Sequence, residues 1–206
     1  MRRIGHRGAM GHAPENTIAS FKNALDLACD EVETDVWLTQ DGRLVVSHDR
    51  PTAKTTLSLD EVLDFCRGRM AVNVEMKSER DEARARETGA AVATRLAARG
   101  KSDAYVSSFW WSALEGARSA APQVRRAFVY SDSPDRAALF ASARALELWA
   151  LHPERMYVTQ DLIRAAHAAS LRVNAWTVND AKEIATFRNW SVDGIMSDFP
   201  ERVPKE

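Results

Sequence analysis

The residues able to do chemistry in this chain sit inside segments that otherwise read as buried strands. In Glu31–Leu38 (EVETDVWL), Glu33 and Asp35 are two apart and point to one side, while Val32, Val36 and Leu38 point to the other. In Met70–Lys77 (MAVNVEMK), Asn73, Glu75 and Lys77 share a face opposite Val72, Val74 and Met76. Ionised groups on a covered face are costly unless paired or bound to metal. Carboxylates that converge from neighbouring strands offer oxygen ligands only, which favour one hard divalent cation, Mg2+ or Ca2+, over Zn2+. The same spacing equally suits a buried ion-pair network in which Lys77 neutralises a carboxylate. His6 ends the first strand-like run, and His48 ends the segment after the Asp41-Gly42 turn. A single histidine in such a place is more often structural. Two of them at strand ends, however, can divide acid and base work. With Arg7 and Lys77 adding positive charge, the set suits cleavage of a phosphodiester.

Strands and helices must alternate to position these groups, and the chain is patterned that way. Strand-like runs recur at Arg3–His6, Glu31–Leu38, Met70–Lys77, Ala104–Phe109, Val124–Tyr130, Leu146–Leu151, Arg172–Val178 and Asp193–Asp198, with Leu44–Asp49 beside the second. Helical patterns lie between them, at Glu15–Ala28 after Pro14, from Ser58 with Glu61 as a capping box, and at Asp81–Arg99 before Gly100. Others follow at Ser112–Ala120, Pro134–Ala145, Thr159–Ser170 and Asp180–Trp190. Eight such units predict a closed (β/α)8 barrel, an α/β fold, in a single domain over residues 1–206. An open doubly wound sheet is the rival, but its GxGxxG fingerprint after the first strand is missing.

Composition narrows the partners. Twenty-eight basic and 29 acidic residues leave a formal charge of -1, without the basic excess of a nucleic-acid binder. Arg125-Arg126 reads as a solvated strand entrance. No apolar stretch is long enough to predict a membrane span. The opening MRRIGHRG lacks the apolar region of a signal peptide. Cys29 and Cys66 are too few for a disulfide framework and are expected as buried free thiols, in keeping with a cytoplasmic location.

Several blocks together resemble the glycerophosphodiester phosphodiesterase family. They are HRG at His6–Gly8, PENT at Pro14–Thr17, ETDVWLTQDGRLVVSHD, NVEMK at Asn73–Lys77, AWTVN at Ala175–Asn179 and DGIMSDFP at Asp193–Pro200. The resemblance implies a TIM barrel that hydrolyses glycerophosphodiesters to glycerol 3-phosphate and an alcohol. By motif position it implies Glu33, Asp35 and Glu75 as metal ligands, His6 and His48 as the acid-base pair, and Arg7 and Lys77 as phosphate contacts. Trp176 would wall the pocket or pack in the barrel. Asn16 would support the site, although helix-start packing is its commoner role. Trp110 and Trp111 are expected mainly to pack. After His48-Asp49, many members insert a subdomain, whereas only Arg50–Thr56 precede the next helix here. The resulting open mouth keeps a lysophospholipase D acting on lysophospholipids as an alternative. A barrel that binds phosphorylated ligands without catalysis is a second, although all five proposed acids and histidines are retained. Asn189-Trp190-Ser191 also lacks the glycine usual in the family before the last strand.

Overall fold

The computed structural model describes residues 1–79, 81–100 and 103–205. Its strands are β1 (Arg2–Gly5), β2 (Glu31–Leu38), β3 (Leu44–Val46), β4 (Ala71–Met76), β5 (Ala104–Ser108), β6 (Arg126–Tyr130), β7 (Ala150–Pro153), β8 (Arg172–Ala175) and β9 (Gly194–Ser197). Its helices are α1 (Ile18–Asp26), α2 (Leu59–Cys66), α3 (Glu82–Ala98), α4 (Trp111–Ala120), α5 (Arg136–Ala145), α6 (Gln160–Ala168) and α7 (Ala181–Asn189). The sheet runs β1-β9-β8-β7-β6-β5-β4-β2, and β1 pairs with β2 to close it. These eight strands are parallel, and β3 lies antiparallel on β2. The chain therefore folds as a single-domain (β/α)8 barrel.

Alternation within each strand separates two environments. Val32, Val36, Val72, Val74, Met76, Val106, Leu151, Val173 and Ile195 are buried. Between them stand Glu31, Glu33, Asp35, Asn73, Tyr105, Ser107, His152 and Asn174, which are also buried but polar. Register places Glu33 beside Asn73 and Asp35 beside Glu75 across β2 and β4. Side-chain caps start most helices. Ser58 and Glu61 form the full capping box of α2, and Asp81, Thr159 and Asp180 cap α3, α6 and α7.

Four expectations shift. Helix α1 begins after Thr17, not at Glu15: Asn16 has a φ of 56°, which no helix residue adopts, and Thr17 is the cap. Strand β3 stops at Val46. The Ser47 N–H still reaches the Asp35 carbonyl at 3.1 Å, and the chain then leaves the sheet with His48. Strand β7 lies at Ala150–Pro153 rather than Leu146–Leu151, because Leu146 caps the end of α5. Arg126 is buried rather than solvated, donating to the Pro122, Val124 and Leu146 carbonyls. Cys29 and Cys66 are buried free thiols, both pushed up to about 12 by burial. Among the described residues no helix is long and apolar enough to cross a membrane.

Candidate active site

The turn leaving β1 folds back over the end of β2. Arg7 and Asn16 take left-handed conformations (φ 48° and 56°), as does Gly8 (φ 84°), where a Cβ would meet Ser20 Oγ at 2.3 Å. In this turn the Arg7 N–H donates to Glu33 Oε2 at 3.0 Å. The Arg7 guanidinium lies 2.6 Å from Glu15 Oε2 and 3.3 Å from Asp35 Oδ2. Asn16 Nδ2 donates to Asp35 Oδ2 at 2.9 Å, and its Oδ1 accepts from Thr34 Oγ1 at 2.9 Å. Asn16 is thus a support for Asp35 and not a helix-start packing residue.

Glu33, Asp35 and Glu75 converge, each offering an oxygen within 4.8 Å of the others. Lys77 Nζ lies 3.0 Å from Glu75 Oε1 and 3.3 Å from Asp35 Oδ1. Burial, then the Asp35 and Glu75 charges, hold Glu33 well above the usual carboxylate range. Burial and Asp35 raise Glu75 as well, with Lys77 opposing them. Burial works against the Lys77 ammonium, but Glu75 and Asp35 outweigh it and raise its pKa. Arg7 and Lys77 pair with Asp35, Glu15 and Glu75, and among the described residues no cation pairs with Glu33. Glu33 Oε1 is buried without a partner. A pure ion-pair network would leave that atom unexplained. An oxygen-only donor set with a free buried carboxylate oxygen fits a hard divalent cation.

The two histidines differ in setting. His6 Nδ1 lies 2.7 Å from Asp198 Oδ1, and Asn179 Nδ2 donates to Asp198 Oδ2 at 2.7 Å. Burial would raise Asp198, but the His6 and Asn179 hydrogen bonds prevail and hold it below the usual range. His48 follows β3 with its side chain 37% exposed, and its Nδ1 lies 2.9 Å from Asp49, itself 93% exposed. The Trp37 indole donates to the Ser47 carbonyl at 3.0 Å, holding the backbone just before His48.

One small cavity, with room for about one water-sized group, is lined by His6, Glu33, Glu75 and Trp176, with Asn73, Val129, His152 and Met196. The fold therefore gathers His6, Glu33, Glu75 and Trp176 around one cavity. Arg7, Asp35 and Lys77 are joined to it through ion pairs, and His48 stands outside the lining. Trp176 walls the cavity, its indole donating to the His152 carbonyl at 2.8 Å and its ring edge-on to Phe109 at 5.5 Å. Trp111 packs as expected, stacked on Phe128 at 3.7 Å. Asp198, Asn179 and His152 escaped sequence reasoning. For Asp198 a signal existed, since it ends a strand as His6 does.

A model of the glycerophosphoryl diester phosphodiesterase family matches residues 6–68 and 57–202. A glycerophosphodiester phosphodiesterase from Bacillus altitudinis is 26% identical, covering 98% of this chain and 96% of that protein. One from Caldanaerobacter subterraneus is 27% identical, covering 96% and 94%. Among solved structures, an Oleispira antarctica phosphodiesterase in complex with the product sn-glycerol-3-phosphate superposes with a TM-score of 0.87. It is 26% identical, covering 98% of this chain and 95% of that one. A protein from Silicibacter pomeroyi, described as a glycerophosphoryl diester phosphodiesterase, gives the same TM-score of 0.87 at 26% identity, covering 98% and 91%.

Proposed function

The chain belongs to the glycerophosphoryl diester phosphodiesterase family, and we propose that it hydrolyses glycerophosphodiesters to glycerol 3-phosphate and an alcohol with a divalent cation held by Glu33, Asp35 and Glu75. The observation that carries this reading is the convergence of the three carboxylates within 4.8 Å, with the free Glu33 oxygen left over by the ion pairs. A cation bound there supplies Lewis-acid stabilisation of charge on the phosphate oxygens. Lys77 and Arg7 add positive charge from the two sides of Asp35. The Asp198 carboxylate accepts a hydrogen bond from Nδ1–H of His6, which leaves Nε2 free to accept a proton, and it stabilises the imidazolium that forms. We assign His6 as the base that deprotonates the attacking hydroxyl, either water, which gives glycerol 3-phosphate directly, or the neighbouring glycerol hydroxyl, which gives a cyclic phosphate that water then opens. The phosphorus–oxygen bond to the alcohol then breaks, and His48 at the solvent-exposed rim protonates the leaving oxygen. Relatives that cover 96–98% of the chain are named for glycerophosphodiesters, which supports a deacylated glycerophosphodiester over a lysophospholipid.

The test is release of glycerol 3-phosphate from sn-glycero-3-phosphocholine after chelation, followed by titration with Mg2+, Ca2+ or Mn2+. Activity should vanish in chelator and return with metal, and one ion should restore it best. His6→Ala and His48→Ala should each lose about 10²- to 10⁴-fold in turnover while still binding metal. Metal-independent turnover, or both variants at wild-type rates, would overturn the assignment.

A further inference from the structure

A chain of buried polar groups runs down the barrel axis from the site, and its members have no part in the mechanism above. Glu31 Oε2 lies 3.3 Å from Arg2 at the far end of β2. Tyr105 donates its hydroxyl hydrogen to Glu31 Oε1. That leaves the Tyr105 oxygen as an acceptor only, and the Asn174 amide acts on it in the sense of a donor, opposing the rise in its pKa. Asn174 turns its NH2 group inward, and its nitrogen lies 3.1 Å from His152 Nε2. Its Oδ1 is left without a partner. This oxygen fits only because residue 194 is glycine, where a Cβ would come within 2.5 Å of it. With Nε2 accepting, the single proton of a neutral imidazole resides on Nδ1. His152 is fully buried, and burial pushes its pKa down to about 3, so the ring stays neutral.

His152 Nδ1 has no partner, and neither does either amide atom of Asn73. Both residues line the cavity that holds Glu33, Glu75 and His6. His152 is 0% and Asn73 1% exposed, so water outside the barrel does not satisfy them. The free space between these walls is about that of one water-sized group.

We propose that the cavity floor is a binding site for one neutral hydroxyl oxygen, which accepts from His152 Nδ1–H and donates to Asn73 Oδ1, with the polarity set by the Glu31–Tyr105–Asn174 relay. The inference rests on the proposed phosphodiesterase reading and makes His152 a specificity-determining residue within it. The oxygen belongs either to the terminal hydroxyl of the glycerol end or to a fixed water beneath the acidic cluster. A hydroxyl both gives and takes a hydrogen bond, so it suits this donor-acceptor pair where a methyl or an anionic oxygen does not.

Two measurements test it. Nitrogen and carbon NMR of the imidazoles should show wild-type His152 as the neutral Nδ1–H form from pH 5 to 8. Tyr105→Phe, remote from the site, should shift it toward Nε2–H by freeing the Asn174 amide to turn over. A wild-type Nε2–H form would overturn the proposal. The second measurement compares kcat/KM for sn-glycero-3-phosphocholine with that for its 1-deoxy analogue, which keeps the hydroxyl next to the phosphate. If the oxygen is the substrate's, the analogue should lose on the order of 10- to 100-fold. His152→Gln should abolish that ratio, and His152→Asn, whose amide N–H replaces Nδ1–H, should keep it. If the oxygen is a water, the ratio stays near one, and His152→Gln instead weakens calorimetric Mg2+ binding while His152→Asn does not. If Gln and Asn behave alike in both assays, the site does not exist. No release of glycerol 3-phosphate by the wild type, with His152 still Nδ1–H, would instead sink the phosphodiesterase reading alone.

Discussion

Both ends of the barrel bury carboxylates on β2, but they surround them differently. At the end where β2 begins, the charges acting on Glu31 are all of opposite sign: Arg2, Arg125 and Arg172, with the Tyr105 hydroxyl bonded to it. At the end where β2 finishes, the strongest charges on Glu33 after burial itself are those of Asp35 and Glu75, of its own sign. Burial raises both glutamates above the ordinary range. Glu31 Oε2 and Glu33 Oε1 both lack a hydrogen bond, but Glu31 Oε2 has the Arg2 guanidinium at 3.3 Å, whereas among the described residues Glu33 has no cation paired with it. Two residues of sequence separate a carboxylate set among arginines from one set among carboxylates.

The largest expected effect lies at the mouth. Asp198→Asn should cost about 10²- to 10⁴-fold in kcat, because the amide favours the wrong His6 tautomer. Asp49→Asn should stay within about threefold, since exposed ion pairs are weak. Equal losses in the two variants would erase the distinction between the histidines. The glutamates come next. Glu33→Gln should weaken divalent-ion binding, measured calorimetrically, by about 100-fold or more without lowering chemical stability, because it removes like-charge repulsion. Glu31→Gln should leave ion binding intact and destabilise the fold by about 1–3 kcal/mol in a urea titration. The contrast collapses if the two substitutions exchange phenotypes.

The pH dependence is smaller. Glu33 and Glu75 have native pKa values above those of the unfolded chain, so the native state holds extra protons across that interval. Their contribution to stability is therefore lost as pH rises from about 4.3 through the raised native values. In chelator the melting temperature should carry this downward component, and Glu33→Gln or saturating metal should flatten it. A chelated wild type with the same profile as Glu33→Gln would refute it. The smallest effect lies away from both ends. Ser191 sits just past α7 at a φ of 65°, a left-handed backbone that glycine adopts at no cost, so Ser191→Gly should stabilise by about 0.5–1 kcal/mol with no change in turnover.

What could be read in advance follows from the range of the interactions. The polar faces of β2 and β4 stand out because carboxylates alternate with valines, a local pattern with a physical cost attached. Capping at Ser58, Asp81 and Asp180 is local too. By contrast, Leu146–Leu151 is an apolar run that looks like a strand from either end. Only the packing of α5 decides that the sheet takes Ala150–Pro153, and with it His152. Asn16 is hidden for a related reason, because its left-handed backbone exists only once the β1 turn has Glu33 and Asp35 to bind. The pairing of His6 with Asp198 spans 192 residues and depends on closure of β1 against β9.

That closure imposes an order on the birth of activity. A chain emerging from the ribosome delivers the His6 imidazole before β2–β8, yet the carboxylate paired with it arrives only after β9. The intervening seven strands can collect their acids and wrap their helices, but the imidazole swings without a tether until β9 slots beside β1. With His6 as the proposed base, a translation product stopped short of Asp198 should turn over far more slowly than the sealed ring of strands, however well the rest has folded.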